Sequence, residues 1–131
     1  MARTSFSSGG AAATTATATT VEALAAGDWV SIYDDAGAAK VRKAAAVEPG
    51  REAHGFVLAD VASGQPATVH MAGINTAVAG HTPGGAVWLS DTPGMGAAAP
   101  PSEPGHVAQR VGRAAAGNAV KFEPSAPIEL V

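Results

Sequence analysis

The chain has 131 residues, with 8 Lys and Arg against 11 Asp and Glu and a formal charge of −3; that fits one small domain and leaves no basic footprint for nucleic acid or an anionic membrane surface. Its 47% apolar share overstates the core, because 32 residues are Ala while Val, Ile, Leu and Phe together number only 23, and Ala buries little apolar surface. Cys is absent, which removes disulfides, thiolate metal sites and thiol nucleophiles; no run approaches the roughly 18 apolar residues of a membrane span, and no apolar stretch follows Met1, so synthesis in a cytoplasm is the expectation.

Residues 1–20 differ in kind from the rest, 17 of them being Ala, Thr, Ser or Gly. The Thr-rich run from Thr14 to Thr20 and the Gly9-Gly10 pair oppose a helix through β-branching and backbone entropy. The segment reads as an extended arm that orders on a partner or adds a strand to a sheet edge. Its candidate contact residues are Arg3, Phe6, Thr14, Thr17 and Thr19.

From Val21 onward the pattern is that of short strands. Segment 28–33 alternates Val30 and Ile32 with Trp29, Ser31 and Tyr33. Further strands are expected at 40–47, 54–61, 67–73, 86–90, 106–115, 118–123 and 128–130. Turn signals separate them, among them Asp34-Asp35-Ala36-Gly37, Glu48-Pro49-Gly50, Thr82-Pro83-Gly84-Gly85 and Glu103-Pro104-Gly105. The Ala-rich patches 44–46, 97–99 and 114–116 are long enough for a helical turn but not for a free-standing helix. Many short strands at this spacing predict an all-β fold, a small barrel or sandwich.

The chain also repeats itself. A shift of 57 residues places Gly27, Val30, Ile32, Asp34 and Gly37 on Gly84, Val87, Leu89, Asp91 and Gly94. A shift of 55 places Glu48-Pro49-Gly50 on Glu103-Pro104-Gly105 and Ala53 on Ala108. Two units are too few for a solenoid, so the expectation is two similar halves, about 24–75 and 78–131, closing one small β domain behind the arm.

No constellation for catalysis emerges. His54, His70, His81 and His106 lack the i, i+2 or i, i+4 spacing of a metal site. Asp34-Asp35 with Gly37 lacks the alternating ligands of a calcium loop and reads as a capped turn. Gly94-Met95-Gly96-Ala97-Ala98-Ala99 matches a dinucleotide fingerprint in form, but Pro100-Pro101 blocks the helix that would have to follow. No nucleophile elbow or phosphate loop occurs, so the chain is not read as an enzyme, and no catalytic, cofactor-binding or metal residue is assigned. Trp29, Tyr33 and Trp88 fall on the side away from the inferred core and are candidate interface aromatics. The competing reading is that both faces of these strands are buried in a two-layer β fold.

The segment Gly84-Gly85-Ala86-Val87-Trp88-Leu89-Ser90, its Pro-Gly turn at Pro93-Gly94, and Gly105-His106-Val107-Ala108-Gln109-Arg110-Val111-Gly112-Arg113-Ala114 resemble a pattern of small tailed-phage virion proteins. His54-Gly55-Phe56-Val57-Leu58-Ala59-Asp60 followed by Gly64-Gln65-Pro66-Ala67-Thr68-Val69 is similar to the core of capsid decoration, or cement, proteins. The resemblance covers about residues 24–131. It implies a β-rich subunit that binds the major capsid protein on the outer surface of a phage shell, commonly as a homotrimer, with an N-terminal arm on the shell. It also implies no cofactor, no nucleic acid and no membrane partner, and a location on the virion after synthesis in the bacterial host. Similar modules occur in tails, baseplates and fibres, which is the alternative; a glycan-binding domain is the third class.

Overall fold

Alternating side chains and closely spaced turns produce strands along the computed structural model, which describes residues 14–131. Twelve strands and no helix form among the described residues: β1 (Thr15–Thr20), β2 (Trp29–Asp35), β3 (Ala38–Lys43), β4 (Gly55–Phe56), β5 (Pro66–His70), β6 (Ile74–Asn75), β7 (Ala86–Leu89), β8 (Gly96–Ala97), β9 (Val107–Ala108), β10 (Arg110–Ala116), β11 (Ala119–Phe122) and β12 (Ile128–Glu129). The all-β fold expected from the sequence is the one adopted. None of the Ala-rich patches becomes a helical turn; 114–116 ends β10, and 44–46 is irregular chain that is fully buried.

Strands β1 to β5 close a barrel in the order β1-β3-β2-β4-β5. β1 runs antiparallel to β5 over five register pairs, from Thr15↔His70 to Thr19↔Pro66. It runs parallel to β3 at Thr19↔Lys40 and Thr20↔Val41. Residues 15–20, assigned to the arm by composition, are therefore barrel wall. Their β-branched Thr side chains suit a strand, and the sheet edge they complete belongs to their own chain. Arg3 and Phe6 lie outside the described residues.

The second sheet has the order β6-β11-β10-β7-β8. Cutting the barrel between β1 and β3 gives β1-β5-β4-β2-β3, so each barrel strand has a counterpart in the same place. Val30↔Gly55 across β2 and β4 corresponds to Val87↔Gly112 across β7 and β10, with both partners displaced by 57. The shift of 55 at the Pro-Gly turns returns to 57 at Gly112, just where the register of β10 against β7 becomes irregular. Two similar halves are thus present in strand order as well as in sequence.

Ala36 and Gly37, with φ of 53° and 91°, join β2 to β3 in a left-handed turn whose twist matches that of the strands. Gly adopts this region freely; Ala does not. Ala36→Asn is expected to raise the unfolding free energy by about 0.5–1 kcal/mol in urea denaturation.

Two cores result. Inside the barrel, Leu24, Val30, Val41, Val57, Ala67 and Val69 pack together, with Ala18, Ile32 and Val61 around them. The second core lies between the halves: Trp29, Ala44, Ala46, Ala53 and Phe56 of the first meet Val87, Leu89, Val111, Ala114, Val120 and Phe122 of the second. β2 is the wall between them, with Val30 facing one core and Trp29 the other. The small residues at 44–46 let backbones approach closely here: Ala46 N–H donates to Ser90 C=O at 2.9 Å, and Val107 N–H donates to Ala46 C=O at 2.8 Å. In the second half the edges β6 and β8 do not pair. Residues of the first half fill the gap, because Asn75 Nδ2 donates to Gly27 C=O at 2.9 Å and Trp29 N–H donates to Gly94 C=O at 3.0 Å.

Candidate functional site

Trp29 is fully buried, which corrects its assignment as an interface aromatic. Its indole packs edge-on to Phe56 at 5.5 Å and stacks on Phe122 at 5.6 Å, closing a three-ring contact between the halves. The alternation along β2 places Trp29 opposite Val30 correctly, but the far face is a second core and not solvent. The competing reading, burial on both faces, holds at this end of the strand. No sequence signal at Trp29 separates the two.

Tyr33 and Trp88 are half-buried and point outward from β2 and β7. Tyr33 lies opposite Lys40 on β3, and the Arg42 guanidinium sits 4.4 Å from its ring centre, a cation–π arrangement. Lys40, Arg42, Lys43 and Arg51, half of the eight cationic residues in the chain, gather on β3 and the loop after it. In the second half Trp88 stands directly across from Arg110. Each half therefore carries an outward aromatic residue and an arginine on neighbouring strands, the residue types that concentrate binding energy at protein interfaces. Thr14 and Thr17 are exposed and Thr19 is half-buried beside them on the barrel wall, apart from the Trp88 face, which belongs to the other sheet.

Three buried polar residues hold these faces in place, and sequence reasoning passed over all of them. Gln109 accepts from Ala53 N–H at 2.8 Å and donates to Ala53 C=O at 3.0 Å, mimicking a strand partner across the two halves. Asn75 spans the other side through Gly27 and accepts from Ala77 N–H at 3.1 Å. A lone amide in an alternating strand looks like any polar residue; only its partner's position reveals the role.

Asp28, nearly buried, accepts from Ala25 N–H at 2.9 Å and faces Lys43 Nζ at 4.0 Å. Desolvation outweighs both and holds its carboxyl above the ordinary value of 3.8. The folded state thus keeps a proton that the unfolded chain releases, so this contribution to stability is full below the unfolded pKa and is lost as pH rises through the folded one. Asp28→Asn removes that loss. The wild type is expected to fall behind the variant in Tm as pH climbs from the ordinary carboxylate range toward neutrality, in thermal melts at matched ionic strength.

His106 Nδ1 lies 3.0 Å from Asp91 Oδ1, and Asp34 Oδ1 accepts from Gly37 N–H at 3.1 Å; the latter is the capped turn expected there. Among the described residues no group of three or more His, Asp or Glu is placed to hold a metal ion. Between the halves an open groove of about 710 Å³ runs past Ile32, His54, Met71, Phe122, Pro124 and Pro127. No family model, curated protein or solved structure matches the chain.

Proposed function

We propose that this chain is a structural subunit of a phage virion, a decoration protein that binds the outer surface of the capsid and braces the shell. The observation that supports it most directly is the outward presentation of Tyr33 with Arg42 on one half and Trp88 with Arg110 on the other, both held by a filled interior. That chemistry suits adhesion to another protein surface. The motif pattern over residues 24–131 supports the same class. In this reading self-association into a trimer multiplies the weak contacts of one copy.

The test is co-sedimentation of the purified protein with phage heads emptied of genome. The expected result is saturable binding that weakens at least about tenfold, or about 1.4 kcal/mol, in Tyr33→Ala with Trp88→Ala. A chain lacking residues 2–13 keeps β1 whole and isolates the arm's contribution. Binding to purified tails and not to heads would overturn the proposal in favour of a tail module.

A further inference from the structure

The groove between the halves needs an apolar occupant. His54 Nδ1 already accepts from Ile32 N–H at 2.9 Å, and both amide atoms of Gln109 are taken up by Ala53. Ser125 Oγ accepts from Arg110 N–H at 2.9 Å. What is left facing outward is Met71, Phe122 and two prolines, with Met71 38% exposed. Phe122 forms part of the ring cluster below, so the floor is rigid.

The described chain starts at the lip of this groove. Thr14 C=O accepts from Met71 N–H at 2.7 Å, so residue 13 leaves the domain beside one of the groove's own lining residues. Phe6, the one aromatic residue among 1–13, stands eight positions before Thr14. Extended chain covers about 3.3 Å per residue, so Phe6 reaches up to about 26 Å from that point. Gly9-Gly10 and small Ser and Ala residues between them let the chain turn back. Arg3, three residues ahead of Phe6, brings a positive charge toward Glu52 on the groove wall. A short tether holds this segment at about millimolar effective concentration, above what a second copy supplies in dilute solution.

We infer that Phe6 of the N-terminal segment docks in the groove lined by Met71, Phe122 and Pro124 of its own chain. The arm then has a resting place on the free subunit, and a shell must compete for it. The inference concerns the free protein and stands apart from the capsid reading.

Methyl NMR of the full chain tests it without capsids. The methionine methyls give one signal each for Met1, Met71 and Met95. The expected result is a ring-current shift of the Met71 methyl that is lost in Phe6→Ala and in the chain lacking residues 2–13. Met95, which lies on another face, serves as the control and stays in place, and the Met71 shift is independent of protein concentration. An unmoved Met71 signal in both variants overturns the inference. A Met71 shift that fades on dilution overturns it as well, since the occupant then comes from a second copy. Unchanged melting curves for Phe6→Ala show that the fold itself is not the variable.

Discussion

Trp29→Ala is expected to lower the unfolding free energy by about 3–5 kcal/mol, a large part of the roughly 5–15 kcal/mol available to a small domain. The indole is fully buried and contacts Phe56 of its own half and Phe122 of the other. It also closes the gap that β6 and β8 leave open, so its loss empties the joint between the halves and not merely one pocket. Collapse to refill the space is restricted, because the backbone at Trp29 is bonded to Gly94 C=O and to Ala44 N–H. Trp88→Ala, at a half-exposed site, is expected to cost no more than about 1 kcal/mol. Urea denaturation followed by far-UV circular dichroism compares the two, and equal effects would show that the inter-half core is not where stability resides.

Gly112→Ala is expected to cost about 3 kcal/mol or more, with Gly55→Ala not far behind. A Cβ on Gly112 would fall inside the van der Waals shell of the Lys121 carbonyl oxygen, and one on Gly55 would lie 2.5 Å from the His70 carbonyl oxygen. In both cases the obstacle is the backbone of the next strand, which cannot rotate away. The two glycines hold equivalent places in the two halves, opposite Val87 and Val30. The same crossing of chains therefore demands the same residue twice. Gly117→Ala, where the nearest atom is 3.6 Å from the new Cβ, serves as control, with an expected change within about 0.5 kcal/mol. Similar thermal melts for Gly112→Ala and Gly117→Ala would contradict the packing described here.

Much of the architecture was legible because strand periodicity and turn chemistry are local. Val30 and Ile32, the Asp34-to-Gly37 turn and the 57-residue shift all point to β2 and its counterpart β7. What was not legible depends on the partner surface. The Thr15–Thr20 run has the composition of a loose tail, and only the free edge of β5, some fifty residues away, makes it a strand. β6 and β8, at two residues each, are too short to show a period. Trp29 has the phase of an outward residue because the sheet it covers lies in the other half. The candidate surface was partly readable: Tyr33 and Trp88 follow from alternation, while Arg42 and Arg110 join them only through register between strands.

The seam at β1 also has a mechanical meaning. Tension on the segment ahead of Thr14, directed along β1, loads the five β1–β5 register pairs in parallel and in shear, so they resist together and do not open one after another. The same strand closes the barrel through its parallel pairing with β3. A pull strong enough to slide β1 out would open the first half at once. The point where this subunit is tethered is thus also its fuse, rigid under ordinary load and abrupt in failure.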